Sequence, residues 1–337
     1  MRSLGAITTD FDFDTPGKRS GFIDLTYSDN DNAFSVIRLP VGVIKNGHGP
    51  TILLTAGSHG DEYEGQVILH RLMQTVAAND IQGRIILLPA LNMPAVRSRS
   101  RVSPLDHGNM NRSFGLGAGE GPTSSIAKFI NAHLIPMADV ILDFHSGGSA
   151  TQYVNCGFLC LGPDKGLRTA NLEVAEVFGA PFTMVCSIDG SGGDFDTAAH
   201  SHGTRFLACE LGGLGQFSLH SFKVGWQGVL RVLAYLQIIS QKPSPSKTRF
   251  IDIDTKCSFI TASHHGLAEF HVSIGDTVST GAALVTLYDP HNFGEIFAKF
   301  HADHHGVIAI IRRNPMVLPG DHLCLLAQEL RPEMLMS

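Results

Sequence analysis

Residues 51–65 read TILLTAGSHGDEYEG, and this stretch decides the fold. It joins the apolar run Thr51–Leu54 to a turn rich in glycine, and an amphipathic pattern follows at once over residues 65–80. A second apolar run occupies residues 84–92. A strand, an amphipathic helix and another strand make the βαβ unit of a parallel sheet. The stretch therefore predicts an α/β core that begins near residue 50.

The same alternation continues to about residue 240. Apolar runs predict strands at residues 140–146, 182–187 and 204–213. Amphipathic patterns predict helices at residues 124–138, 167–179 and 226–240. The repeated order of strand and helix favours a doubly wound, mostly parallel sheet flanked by helices.

Chain length and linker composition predict more than one domain. A chain of 337 residues is long enough for one large domain and a smaller one. The stretch QKPSPSKT, residues 241–248, is the predicted boundary, and short strands with turns follow it. We therefore expect three regions: an N-terminal β-rich extension over 1–45, a central domain over 46–240, and a small β-barrel-like domain over 249–337 that caps the site. Gly-Asp turns at residues 275–276 and 320–321 suggest a weak internal repeat in the last region.

Charge and composition narrow the possible partners. A formal net charge of -6 gives no basic field for a polyanion, so nucleic acid is not an expected partner. The longest apolar runs are too short to cross a bilayer, and the N-terminus carries acidic residues where a secretory signal would be apolar. The six cysteines form no CxxC pair and are expected to be reduced. We expect a cytoplasmic protein that acts on a small molecule.

Three side chains at predicted strand ends suggest a metal site. His59 and Glu62 lie one helical turn apart just after the first strand, and His145 ends the strand predicted at residues 140–146. Open α/β sheets bind ligands at the carboxyl ends of their strands. Two imidazoles and one carboxylate are the ligand set of a catalytic zinc ion, which keeps a fourth position open. Each motif alone occurs by chance in many proteins, but together they predict one zinc ion per chain.

Two further carboxylates lie near these strand ends. We expect Asp143 to point to the face opposite His145 if the strand continues to that point, or to support a metal ligand if the strand ends there. Glu210 lies near the end of the strand predicted at residues 204–213, directly after four apolar residues. Partial desolvation there would raise its pKa into the working range of a general base.

Residues 92–112 are predicted to form a loop rich in arginine. Guanidinium groups bind carboxylates and stabilise oxyanions, although a solvated basic loop is also common. Asn111 and Arg112 are the preferred pair for a substrate carboxylate, ahead of Arg97 and Arg99. The later segment SIDGSGGDFDTAA carries Asp189, Asp194 and Asp196. We interpret these aspartates as surface loop residues rather than as direct contacts with a substrate amine.

This set of motifs, in this order, resembles the succinylglutamate desuccinylase/aspartoacylase family of zinc carboxypeptidase-like hydrolases. The motifs are His-x-x-Glu, Asn-Arg, Asp-x-His and a later Glu, and the resemblance covers residues 45–240 and extends to the β tail. It implies the zinc-carboxypeptidase fold with a mixed, mostly parallel sheet. The resemblance implies that the zinc ligands are His59, Glu62 and His145, and that Glu210 is the general base and proton shuttle. It also implies that Arg101 polarises the carbonyl, with Arg97 or Arg99 as alternatives. The implied carboxylate-binding residues are Asn111 and Arg112.

The length and the RVSPLDxGNxNR-type loop resemble family members that deacetylate N-α-acetyl-L-2,4-diaminobutyrate in ectoine degradation. The implied reaction is therefore hydrolysis of an N-α-acetylated amino acid to acetate and free amine. Alternatives are aspartoacylase or succinylglutamate desuccinylase activity, and a peptide carboxypeptidase. A further alternative is a metal-binding protein without enzymatic activity. It would use the late histidines, which are His264, His265, His301, His304 and His305. We instead interpret these histidines as surface turn residues. We expect a homo-oligomer.

Overall fold

The computed structural model describes residues 1–30, 32–115, 119–187, 193–331 and 335. Within these residues one 15-stranded sheet runs through most of the chain, and a four-stranded sheet forms a smaller β region. Helices flank the centre of the large sheet, which confirms the predicted α/β class. No helix in the described ranges combines the length and the apolar character that crossing a membrane requires.

The chain begins with strands that extend one side of the large sheet. They pair antiparallel with one another in sequence order. Their bounds are β1 Arg2–Leu4, β2 Ile7–Thr9, β3 Gly17–Tyr27 and β4 Ser35–Asn46.

The strands that follow build the centre of the sheet. Their bounds are β5 Thr51–Ala56, β6 Gly83–Leu88, β7 Val140–His145, β8 Thr151–Tyr153, β9 Cys156–Leu161, β10 Phe182–Ser187 and β11 Arg205–Glu210. In space the order β6-β5-β7-β11 is parallel throughout. β9 then runs antiparallel to β11, and β10 is parallel to β9. The centre is therefore mostly parallel, as the alternation of strands and helices predicts.

In the described part of the chain, six α-helices pack on this sheet or lie near its edge. Their bounds are α1 Glu64–Thr75, α2 Met93–Ser98, α3 Pro122–His133, α4 Lys165–Phe178, α5 Phe195–Ser201 and α6 Leu219–Tyr235, and 3-10 turns occupy Ala78–Asp80, Met110–Arg112 and Ile135–Met137. The prediction of a loop over residues 92–112 is wrong for α2 and for the turn at Met110–Arg112. α2 forms because the Asn92 side chain accepts a hydrogen bond from the Ala95 N–H, and Pro94 suits the first turn.

Alternation along β7 determines which face carries the polar groups. Leu142 and Phe144 belong to the core under α1, α4 and α6, whereas Ile141 belongs to the core under α3 and α5. Because residues two apart in a strand share a face, Asp143 and His145 continue the face of Ile141. The strand extends to His145. The polar pair thus lies on the α3/α5 side of the sheet.

The C-terminal region is all β. Its strands are β12 Arg249–Thr261, β13 Gly266–Phe270, β14 Thr277–Val278, β15 Ala283–Tyr288, β16 Ile296–His301, β17 Gly306–Arg312, β18 Met316–Val317 and β19 His322–Leu330. β12 pairs with both β10 and β19, so the large sheet continues into this region, while β16-β15-β13-β18 form the smaller sheet. The segment 241–248 contains neither helix nor strand.

The two Gly-Asp turns of the suggested repeat share one geometry. Gly275 and Gly320 both have positive φ, at 85° and 92°. In each turn the aspartate Oδ2 accepts a backbone N–H from three residues earlier, at 2.8 Å for Asp276 and 2.9 Å for Asp321. The short sequence similarity therefore corresponds to a repeated turn.

Close packing explains Gly60 in the turn between β5 and α1. Its N–H donates to the Ser100 carbonyl at 2.8 Å, and a Cβ atom at position 60 would lie 1.9 Å from the Ala95 carbonyl oxygen. The turn that carries His59 can approach the backbone of α2 only because residue 60 has no side chain.

We predict that Gly60→Ala lowers the free energy of unfolding by about 2 kcal/mol or more, because backbone atoms of α2 would have to move. Denaturant unfolding measures this. Gly119→Ala is the matched control, since a Cβ there meets no atom within 4 Å, and it should change stability by less than about 0.5 kcal/mol. Equal stability of the two variants would contradict the close approach.

Candidate functional site

His59, Glu62 and His145 converge at the carboxyl ends of β5 and β7. The Glu62 carboxylate lies between the two rings, with Oε1 at 2.8 Å from His59 Nδ1 and Oε2 at 3.0 Å from His145 Nδ1. All three side chains are buried, with relative exposures of 3–4%. β5 and β7 are adjacent and parallel, with Ala56 opposite Phe144, and this register brings segments 83 residues apart together.

The hydrogen bonds around the two rings show that this cluster fits a cation. His59 Nε2 lies 3.0 Å from Asn109 Oδ1, which also accepts the Asn111 N–H, and His145 Nε2 lies 2.7 Å from Asp143 Oδ2. If each ring is neutral and carries its hydrogen on Nε2, both Nδ1 lone pairs point at Glu62. Lone pairs facing carboxylate oxygens need a positive charge between them. Nitrogen and carboxylate donors of this kind suit zinc.

When no metal is bound, protons supply that positive charge, and the electrostatics of the cluster favour it. Burial disfavours charge on His145, but Asp143 and Glu62 outweigh it and raise the pKa of that imidazole well above its usual range. Burial opposes ionisation of Glu62 as well, yet hydrogen bonds from His145 and His59 lower its pKa to about 2. Among the described residues, this is the one group of three or more such side chains whose donor atoms lie within 4.8 Å of one another. The late histidines form no such group there.

Asp143 orients His145 from behind. Its Oδ2 accepts from His145 Nε2, and its Oδ1 accepts a 2.6 Å hydrogen bond from the Thr55 hydroxyl on β5. The expectation that Asp143 would point to the opposite face in a continuing strand is wrong, because residues 143 and 145 lie on one face of β7. Carboxylates that hold a ligating histidine in this way fix its tautomer and raise its basicity.

Glu210 ends β11 directly beside His145, its partner in the strand register. Burial raises its pKa to about 7, and the charges of Glu62 and Asp143 act in the same direction, against His145 and Arg101. Its Oε2 atom is buried and has no hydrogen-bond partner within the part of the chain that the structure describes. A buried carboxyl group with a pKa about 7 can both accept and return a proton near neutral pH.

The arginine segment contributes Arg101 and Arg112 to the site. Arg101 Nη1 lies 3.5 Å from His59 Nδ1 and 3.6 Å from Glu62 Oε1. Arg112 Nη1 forms an ion pair with Asp194 Oδ1 at 2.6 Å. Arg97 and Arg99 are exposed on and just after α2 and do not line the cavity described next.

A cavity of about 400 Å³ is lined by all seven residues that the sequence analysis prefers for the site. These residues are His59, Glu62, Arg101, Asn111, Arg112, His145 and Glu210. A larger open groove of about 1420 Å³ lies between α4, α6 and residues 239–246. We assign the site to the smaller cavity because the donor cluster and the buried Glu210 carboxyl lie there.

Sequence reasoning missed several residues of the cavity wall. Asp194 and Asp196 line the cavity, so their interpretation as plain surface loop residues is wrong, whereas Asp189 lies outside the described residues. Tyr153 on β8 also lines it, and burial raises the pKa of its hydroxyl. No local pattern distinguishes Tyr153, because a strand of three residues and its pairing with distant β17 place it there.

Comparison with known proteins identifies the fold and the family. The sequence model of the family described as succinylglutamate desuccinylase/aspartoacylase catalytic domain matches residues 48–236. The chain belongs to this family. It is 34% identical to the N-alpha-acetyl-L-2,4-diaminobutyric acid deacetylase of Halomonas elongata over 96% of this chain and 95% of that protein.

Solved structures of family members superpose closely on this chain. A succinylglutamate desuccinylase from Silicibacter sp. TM1040 has a TM-score of 0.91 at 33% identity, covering 98% of this chain and 100% of that one. The product-bound ectoine utilization protein EutE (DoeB) from Ruegeria pomeroyi has a TM-score of 0.91 at 34% identity, covering 97% and 100%. An aspartoacylase family protein from Mesorhizobium loti has a TM-score of 0.84 at 25% identity, covering 97% and 99%.

For this family member we predict that Asp143→Asn weakens zinc binding by about 10- to 100-fold, because the His145 ring loses its charged acceptor. Competition with a chelating indicator dye measures the affinity. Asp10→Asn, an exposed position at the N-terminus, is the control and should leave the affinity unchanged. Unchanged affinity in Asp143→Asn would show that the carboxylate does not support the ligand.

Proposed function

We propose that this chain is a zinc-dependent deacetylase that hydrolyses the amide bond of an N-α-acetylated amino acid, with N-α-acetyl-L-2,4-diaminobutyrate as substrate. Membership of the family makes it a hydrolytic enzyme. The names of the Halomonas elongata and Ruegeria pomeroyi relatives support the choice of substrate. The observation that carries the proposal is the electron-rich group of His59, Glu62 and His145, with the free carboxyl oxygen of Glu210 in the same cavity.

His59 and His145 would hold the metal through their Nδ1 atoms, and Glu62 through its carboxylate. Zinc, when bound, would lower the pKa of a water molecule and polarise the amide carbonyl. The two supporting acceptors, Asn109 and Asp143, keep both rings in the tautomer that ligation requires.

Glu210 is the proposed proton carrier. Its carboxyl group lines the cavity, and the buried Oε2 has no partner among the described residues, so the group is free to accept the proton of the attacking water. The same carboxyl group then returns the proton to the amide nitrogen as the amine leaves. A pKa about 7 suits both halves of this transfer.

Arg101 and the Asn111–Arg112 pair are proposed to bind the substrate. The Arg101 guanidinium lies beside the donor cluster and half of it is exposed, so it can donate to the oxyanion that forms from the carbonyl. Asn111 and Arg112 line the same cavity, where the α-carboxylate of an acetylated amino acid would find an amide and a guanidinium.

The test of the proposed function is a substrate panel with the zinc-loaded protein, in which released amine is measured. N-α-acetyl-L-2,4-diaminobutyrate is expected to be hydrolysed faster than N-acetylaspartate, N-succinylglutamate and short peptides. Treatment with a chelator should abolish the reaction, and added zinc should restore it. Preference for N-acetylaspartate, N-succinylglutamate or peptides would assign one of the alternative activities instead.

We predict that Glu210→Gln lowers kcat by about 10²- to 10⁴-fold, because the amide cannot accept the proton of the attacking water. Its zinc content should equal that of the unmodified enzyme, since Glu210 contributes no atom to the donor cluster. Glu120→Gln, at an exposed position, is the control for the chemical change. A fully active Glu210→Gln enzyme would remove the residue from this role.

A further inference from the structure

The cavity extends along the sheet well beyond the donor cluster. Its floor includes residues that share one face of adjacent strands: Asp143 and His145 on β7, Phe206, Ala208 and Glu210 on β11, Phe158 and Cys160 on β9, and Cys186 on β10. From Glu210 to Phe206 the floor follows four residues of β11, which is roughly 13 Å. The floor therefore has a metal end, at Glu210, and a distal end, at Phe206 and Cys160.

The distal end is acidic. Asp196 and Asp254 line it together with the Cys160 and Cys186 thiols, and Asp194 lies nearby. These aspartates differ in their surroundings. Asp194 is already paired with Arg112, and Asp254 is exposed and accepts the Ser187 N–H at 3.1 Å.

Asp196 is the aspartate that remains for a ligand. It is half-buried in the first turn of α5, its Oδ1 accepts the Thr197 N–H at 2.7 Å, and its carboxylate lies beside the Cys160 thiol. No lysine, arginine or histidine lies within ion-pair distance of it in the described part of the chain. The metal end of the same cavity contains the buried Oε2 of Glu210, which has no hydrogen-bond partner among the described residues, so the cavity as a whole has room for a polar ligand.

The charge balance of the whole cavity favours a cation at this end. Two guanidinium groups line the cavity, those of Arg101 and Arg112. Six carboxyl groups face them: Glu62, Asp143, Asp194, Asp196, Glu210 and Asp254. A bound divalent metal would still leave an excess of negative groups. A second carboxylate on the substrate would be repelled, whereas an ammonium group would be attracted.

We propose that Asp196 binds the side-chain ammonium group of the substrate and thereby selects acetylated diamino acids over acetylated neutral or acidic ones. This inference rests on the proposed function. The reacting amide would lie at the metal end, and the side chain would point along the floor towards Asp196. A hydrogen-bonded charge pair of this kind changes affinity by about tenfold or more.

The experiment compares two substrates of equal shape and different charge. N-α-acetyl-L-norvaline replaces the side-chain ammonium of N-α-acetyl-L-2,4-diaminobutyrate with a methyl group. Asp196→Asn should raise KM about tenfold or more for the cationic substrate, with kcat nearly unchanged, and should leave both constants for the norvaline substrate unchanged. Asp196→Glu should keep most of the preference for the cationic substrate. Asp80→Asn, at an exposed aspartate in the 3-10 turn Ala78–Asp80, is the control and should change the kinetic constants for neither substrate.

The alternative role for Asp196 is stabilisation of the N-terminus of α5 by its negative charge. Thermal unfolding of each variant separates the two roles. If Asp196→Asn lost kcat/KM equally on both substrates and had a lower unfolding temperature, Asp196 would be assigned to stabilisation of the helix, and the inference would be overturned. Unchanged kinetics on both substrates would also overturn it while leaving the deacetylase proposal intact. Absence of hydrolysis of any acetylated amino acid by the unmodified zinc-loaded enzyme would overturn the proposed function itself.

Discussion

The arrangement of the site depends on two imidazole nitrogens that point at one carboxylate. In the neutral tautomer in which His59 and His145 each donate from Nε2 to an oxygen behind the ring, their Nδ1 lone pairs face Glu62. This arrangement is costly in a buried, low-dielectric site unless a cation occupies the space between the groups. The surrounding structure serves to keep that arrangement in place. Thr55 holds Asp143, and the absence of a side chain at Gly60 lets the turn carrying His59 pack against α2.

The sequence predicts the parts of the fold and the site that repeat a local pattern. Apolar runs locate β5, β7 and β11, and the polar residues that end them converge because the carboxyl ends of parallel neighbours meet at one edge. The ligand candidates and Glu210 can therefore be identified from the polar residues that follow or end the predicted strands. The face of Asp143 could also have been predicted, because a residue two positions before His145 in a strand must share its side.

Other features could not be predicted because they arise from contacts between distant segments. β9 reverses direction next to β11, and this reversal lets Phe158 and Cys160 continue the floor that Glu210 begins. α2 depends on one side-chain cap at Asn92, which is a weak signal in a segment dominated by arginine. The acidic wall at Asp194 and Asp196 depends on where α5 packs, and helix patterns do not specify that.

The C-terminal β region also contributes directly to the site. Ile253 and Asp254 on β12 line the cavity, and β12 lies in the same sheet as β10. β17 pairs with β8, so the strand that carries Thr151 and Tyr153 is held in place by a segment more than 150 residues later. The pairing of β12 with β10 covers residues 249–252, directly before Ile253 and Asp254, and so places this wall beside the floor. A movement of this region against the central sheet would have to break the pairing of β12 with β10.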